Sequence, residues 1–223
     1  FDLKIIYTFS NKEFEDGYNK LIKMFPNIKW IKEDDFRKQT LYEINNKDSE
    51  FTCFFTDDDI IYRKIDENEI TSKLKEDLDC FCFSLRLGLN TKVCYTMNSD
   101  NMSVNPNFED NKFISWDWTN HDFDFGYPLS VDGHIFRTKE IYKLSSKVNF
   151  NNPNTFEAAL QIFRNFPKNI MWSYTQSALV NSPSNIVQSV FKNRKGVEEK
   201  FSTISLNDYF LKDNFIKLEK MDF

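Results

Sequence analysis

The chain has 223 residues, with 29 Lys and Arg against 34 Asp and Glu and a formal net charge of −5. That length supports one domain with a sizeable core, and the acidic balance argues against a nucleic-acid binder that works by neutralising phosphates. No apolar run approaches the roughly 20 residues of a membrane span and no signal-peptide pattern opens the chain, so a cytoplasmic protein is expected. The start at Phe1 rather than Met suggests a domain excised from a longer protein. Cys53, Cys80, Cys82 and Cys94 lie in apolar surroundings without the paired spacing of a zinc site, and read as reduced core thiols.

The N-terminal third alternates strands and helices. Residues 3–9 read as a strand, and Ser10 with Glu13 three residues on reads as a capping box. Phe14, Tyr18, Leu21, Ile22 and Phe25 then recur at helical spacing until Pro26. Residues 28–31 form a short second strand, and Asp35 can cap a helix carrying Phe36, Leu41 and Ile44. A third strand follows at 51–56. This β-α-β-α-β order predicts an α/β fold with a mostly parallel central sheet flanked by helices, in a single domain. With only five glycines and no Gly-rich phosphate loop, a dinucleotide fold or a P-loop is not expected.

Further on, residues 79–88 read as a buried strand ending in a turn at Gly88, and 97–111 as an Asn-rich surface loop. Residues 113–118 alternate like a strand, a polar turn follows at 119–122, and 127–137 is a mixed apolar segment. A helix starts near Asn152 and runs to about Asn165. A strand is expected at 177–181, a helical segment from Ile186, and a final helix carrying Leu206, Tyr209 and Phe210.

The most informative stretch is Asp57-Asp58-Asp59 at the end of the third strand. Ligands of open α/β sheets collect beyond the carboxyl ends of strands. Three adjacent carboxylates repel one another, and a hard divalent cation reconciles them; a solvated acidic turn is the plainer alternative. On an extended chain Asp57 and Asp59 would point one way and Asp58 the other.

These pieces together resemble the small, metal-dependent, nucleotide-sugar glycosyltransferases of the GT-A type. The resemblance rests on the strand with Asp57-Asp58-Asp59, on Arg37-Lys38 before it, and on Ser84-Leu85-Arg86-Leu87-Gly88 after it. Tyr127-Pro128-Leu129-Ser130-Val131-Asp132-Gly133-His134, the helix start at Asn154-Thr155-Phe156-Glu157 and the turn at 181–185 extend it over most of the chain. It implies a GT-A-like (Rossmann-like) fold, with a nucleotide-sugar half over about 1–95 and an acceptor half over about 96–223.

The implied activity moves a sugar from a nucleotide-diphosphate donor to a glycan or other hydroxyl acceptor, with Mn²⁺ or Mg²⁺ stabilising the leaving diphosphate. Asp59 would bind the metal directly, and Asp57 the metal, its water or the ribose, with Asp58 able to exchange roles. Arg37 and Lys38 could neutralise phosphate or simply form a solvated basic face. Thr8, Phe9 and Ser10 would hold the nucleotide base.

An inverting reaction needs a carboxylate base, and Glu157 and Asp132 are the candidates. Against Glu157 stands a cap: an acidic side chain in a helix's first turn is favourable on its own. Trp118, Tyr127, Asp132, Gly133 and His134 would face the substrate, with Trp116 and Trp118 read either as a sugar-stacking platform or as core. His134 reads as a metal or donor contact or, more plainly for a histidine in an apolar run, as a satisfied structural residue. The alternatives are a non-catalytic sugar- or nucleotide-binding module of the same fold and a haloacid-dehalogenase-like phosphohydrolase. The latter expects a Thr or Val where Ile61 stands. The oligomeric state stays open.

Overall fold

The computed structural model describes residues 2–45, 49–101, 104–182, 202–215 and 217. The chain divides into two compact units, Phe1–Glu43 with Pro183–Phe223, and Ile44–Ser182.

In the first unit, β1 (Lys4–Tyr7) pairs in parallel with β2 (Lys29–Lys32), Ile5 opposite Trp30. Between them runs α1 (Lys12–Met24), capped by Asn11, whose side chain accepts the Phe14 N–H at 3.1 Å. The cap thus falls one residue after the expected Ser10. Asp35 caps α2 (Phe36–Ile44) through the Lys38 N–H at 2.9 Å, as its short acceptor side chain suits.

The second unit holds a six-stranded sheet. Its strands come from β3 (Phe51–Cys53), β5 (Cys80–Ser84), β8 (Asn107–Glu109), β9 (Phe113–Asp117), β10 (His134–Arg137) and β11 (Ile170–Tyr174), in the order β3-β10-β5-β11-β9-β8. Only β5 and β11 pair in parallel; the other four pairings are antiparallel. The expectation of a mostly parallel sheet is therefore corrected to a mixed one. A continuous apolar run such as Cys80–Ser84, buried at every position, shows that both faces are covered but carries no information about its neighbours' direction. The first two strands also pair with each other rather than joining this sheet.

Two smaller ribbons complete the unit: β4 (Asp59–Ile61) with β12 (Leu179–Asn181), and β6 (Val93–Cys94) with β7 (Ser99–Asp100). Helices α3 (Glu67–Glu76) and α4 (Thr138–Ser145) pack on the sheet, and α5 (Pro153–Leu160) packs on α4. Ile70 and Leu74 of α3 join Phe83, Leu85, Phe113, Ile135 and Tyr174 in one core cluster. Cys80 and Cys82 are buried in β5, and burial pushes the Cys80 thiol up to about 12, which makes it an inert core residue.

Returning to the first unit, α6 (Thr203–Leu211) packs on α1. Asn207 donates to the Glu13 carbonyl at 3.0 Å, directly over Gly17, where an added Cβ would sit 2.4 Å from the Asn207 carboxamide oxygen. The helical segment expected from Ile186 and the turn at 183–185 lie outside the described residues.

Candidate active site

The acidic triplet is a turn. β3 ends at Cys53, the chain bends through Asp57 and Asp58, and Asp59 opens β4. Strand alternation therefore does not apply, and the expected grouping of Asp57 with Asp59 is corrected: the turn draws Asp58 and Asp59 together and leaves Asp57 exposed. Asn181, directly opposite Asp59 in the β4–β12 ribbon, donates its side-chain amide to Asp58 Oδ1 at 2.9 Å and Asp59 Oδ1 at 3.1 Å. The Thr56 N–H donates to Asp59 Oδ2 at 3.0 Å, and Ser182 N–H to the Asp58 carbonyl at 2.8 Å.

A second carboxylate segment closes on this turn. The Thr56 hydroxyl lies 2.7 Å from Asp58 Oδ1 and 3.1 Å from Asp132 Oδ1, so one hydrogen serves two carboxylates. Asp132 is placed there by its neighbour. Gly133 has φ +70°, its N–H donates to the Phe54 carbonyl and its carbonyl accepts from Leu85 N–H, both at 2.9 Å. The backbone thus requires glycine, and a Cβ there would also meet Leu179 Cδ1 at 2.8 Å, so that the Leu179 side chain would have to shift.

Glu157 comes from α5. Asn152 caps that helix in a capping box with Thr155, and Pro153 is its first residue. Glu157 thus sits beyond the first turn, and a capping role for it is corrected: its Oε2 accepts the Val131 N–H at 3.2 Å. The Tyr127 hydroxyl is a further partner of this carboxylate.

Burial, and then the charge of Asp132, push Glu157 up to about 7. The same two causes in the same order push Asp59 up to about 7. Asp132 is itself raised, by burial and by Asp58 and Asp124, with Arg86 opposing. Like charges gathered in a poorly solvated place resist full ionisation, which is how a carboxyl becomes a proton acceptor near neutral pH.

Four residues of this cluster carry no role in the sequence reading: Thr56, Arg86, Asp124 and Asn181. Arg86 Nη1 donates to Asp124 Oδ1 at 2.8 Å, and Arg86 holds the Asp124 carboxyl below its ordinary range despite burial. Arg86 and Asn181 do stand in stretches that carry the resemblance, which was the available signal. Asp124 lies in a 3-10 turn with no such mark.

Other expected residues fall elsewhere. Trp118 is 3 % exposed, packs near Phe81 and donates its indole N–H to the Lys168 carbonyl at 3.1 Å. A ring with no open face offers no sugar platform, so Trp118 is corrected to core, while Trp116, equally buried, takes the core reading expected of it. His134 is fully buried in β10 with Nδ1 3.1 Å from the Pro128 carbonyl, and burial lowers its pKa to about 3. It is a neutral buried histidine held through Nδ1, and not the fully satisfied residue of the plainer reading, because its Nε2 is buried with no hydrogen-bond partner among the described residues. Thr8, Phe9, Ser10, Arg37 and Lys38 belong to the first unit. There Phe9 is half-buried beside Tyr7 and Tyr18 with Lys32 Nζ 4.4 Å from its ring centre, while Thr8, Ser10 and Lys38 are exposed and Arg37 is half-buried.

The donor chemistry of the turn fits a hard divalent cation. Two carboxylate oxygens, from Asp58 and Asp59, converge on one small polar group, the Asn181 amide. Mg²⁺ and similar ions take one or two carboxylates and complete their shell with water and phosphate oxygens. Among the described residues no group of three or more His, Cys, Asp or Glu is arranged as a protein-only cage.

Against known proteins, the chain is 26% identical over 247 aligned residues to the bifunctional glycosyltransferase pgtA of Dictyostelium discoideum. The alignment takes in 96% of this chain and 32% of that protein, so the chain spans about a third of the relative's length. No family model matches the chain. No solved structure matches it either. Among the described residues no helix is long and apolar enough to cross a membrane.

Proposed function

We propose that the chain is a metal-dependent glycosyltransferase of GT-A type that moves a sugar from a nucleotide-diphosphate donor to an acceptor hydroxyl with inversion. Similarity to a glycosyltransferase over nearly the whole chain supports the reaction class. The observation that carries the mechanism is the shared hydroxyl of Thr56, which joins the Asp58–Asp59 turn to Asp132, whose charge in turn acts on Glu157.

In this reading Asp58 and Asp59 hold Mn²⁺ or Mg²⁺, which when bound neutralises charge on the departing diphosphate. Asn181 and the Thr56 N–H keep those two carboxylates together when the ion is away. Asp57, exposed beside them, would contact the ribose or help order the water around the ion. Glu157 Oε1, the oxygen not engaged by Val131, takes the proton of the acceptor hydroxyl as the hydroxyl oxygen attacks the anomeric carbon. Asp132 raises the proton affinity of Glu157 and orients the reacting sugar, and the Tyr127 hydroxyl steadies the carboxylate.

A panel of nucleotide sugars, assayed for donor hydrolysis and transfer with and without Mn²⁺, tests this. Release of nucleoside diphosphate that requires the metal is expected. Binding without turnover would instead mark a sugar- or nucleotide-binding module, and release of inorganic phosphate a phosphohydrolase.

A further inference from the structure

Arg86 lies just past the end of β5 and Asp132 just before the start of β10. His134 lies opposite Ser84 in the β5–β10 pairing, and Leu85 N–H donates to the Gly133 carbonyl. Arg86 and Asp132 are the next residues along each chain from that hydrogen-bonded pair, and the charge of each acts on the other. The guanidinium cannot wander: Asp124 holds Nη1 at 2.8 Å, and Asn101 Nδ2 holds the other Asp124 oxygen at 3.0 Å. Asn101 is tied in turn to the Thr91 carbonyl at 3.3 Å, and the Thr91 hydroxyl to the Arg86 carbonyl at 3.4 Å.

The side chains of Arg86 and Asp124 are only 17% and 14% exposed, and Arg86 Nε is buried with no hydrogen-bond partner. A buried guanidinium with a spare donor is costly unless further negative charge lies near it. Asp132 and Glu157 supply that charge. Burial works against the guanidinium, yet Asp124, Asp132 and Glu157 together hold its pKa above its ordinary value.

We propose that Arg86, fixed by Asp124 and Asn101, is a positioning residue that keeps Asp132 and Glu157 assembled as one carboxylate pair at the reacting centre. The inference deepens the transferase reading and rests on it for the role of Glu157 as base. One cation then serves three carboxylates. Without it, Asp132 and Glu157 must protonate or move apart. Glu157 is faced by Asp132, Tyr127 and the Val131 N–H from the 127–133 segment and by Arg86 from the end of β5; Arg164, after α5, acts on Tyr127.

The test is to follow the Glu157 titration by carbon NMR of glutamate-labelled protein, assigned with Glu157→Gln, in the wild type, Arg86→Met, Arg86→Lys and Asp124→Asn. Arg86→Met raises the midpoint by about one pH unit, a tenfold change in proton affinity. Asp124→Asn lowers it, because the freed guanidinium turns its charge on the remaining pair, and Arg86→Lys stays close to wild type. In transfer assays Arg86→Met lowers kcat and moves the acid limb of the rate profile up with the midpoint, while the donor KM holds.

An unchanged midpoint in Arg86→Met, or shifts of the same sign in Arg86→Met and Asp124→Asn, would overturn the proposal. If Arg86→Met does not fold, the fall in Asp124→Asn against the constancy of Arg86→Lys decides it. The NMR readout needs no turnover. Failure of the transferase reading therefore shows as absent transfer in the wild type, and failure of this inference as an unmoved Glu157.

Discussion

Asn181 stands directly opposite Asp59 in a two-stranded ribbon, and its amide nitrogen reaches both Asp59 and its neighbour Asp58. The amide thus does for two carboxylates what a cation would do when bound, holding their oxygens at one point by hydrogen bonds. Asn181→Ala should therefore weaken Mn²⁺-dependent nucleotide binding by about tenfold or more, the loss of one or two such bonds. Isothermal calorimetry checks this, and unchanged affinity would take Asn181 out of the site.

Glu157 sets the rate in the proposed mechanism. Glu157→Gln should cut transfer by roughly 10²–10⁴-fold with donor affinity near that of the wild type. In the wild type kcat/KM should climb with pH and level off above about 7, where Glu157 loses its proton. Steady-state rates from pH 5 to 9 decide this; a flat profile removes Glu157 as the base.

The same carboxyl leaves a mark on stability. Its pKa in the folded chain, about 7, is above the ordinary 4.5, so with rising pH the unfolded chain releases this proton first. The stability it contributes is complete below about 4.5 and is lost as pH rises through about 7. Glu157→Gln removes the buried charge, and should raise Tm relative to wild type at pH 8 with a much smaller difference at pH 4. Thermal melts at the two pH values check it. A variant destabilised at pH 8 would mean that the Val131 and Tyr127 contacts outweigh the buried charge.

The core assignment of Trp118 has a direct consequence. Trp118→Ala should cost about 3–5 kcal/mol of stability, as for other buried large-to-small changes, and should not act selectively on the acceptor KM. Urea unfolding measures the first and acceptor kinetics the second. A stable variant with raised acceptor KM would return Trp118 to the substrate.

Gly133→Ala should be damaging for two independent reasons, the positive φ and the Leu179 side chain 2.8 Å from the new methyl. The strain alone is about 1–2 kcal/mol. Because Gly133 locks Asp132 between the ends of β3 and β5, activity should fall further than stability does. Activity kept in proportion to the folded fraction would show that Asp132 does not depend on the lock.

Local chemistry made much of this legible from sequence. The Phe51 strand, the Cys80–Ser84 strand, α5 and the Asp triplet each announced themselves through apolar runs, capping residues or charge density. Strand direction was not legible, because β5 is equally apolar beside antiparallel β10 and parallel β11. Alternation failed at Asp57–Asp59, since it holds only while the chain stays extended, and here a turn intervenes. The charged segment after Arg63 hid α3, whose apolar residues Ile70 and Leu74 are four apart among Glu and Lys. Asp124 and Arg86 meet across 38 residues of chain, and no spacing rule reports a pair made only by tertiary packing.

The proposed mechanism stands on the acidic turn holding a metal for a nucleotide diphosphate. Calorimetric titration of nucleoside diphosphates into the wild type and Asp59→Asn, with and without Mn²⁺, measures it most directly. The expected result is binding by the wild type that requires Mn²⁺ and is lost in Asp59→Asn, with the circular dichroism of the variant unchanged. Binding of equal strength without metal, or retained in a folded Asp59→Asn, would contradict it.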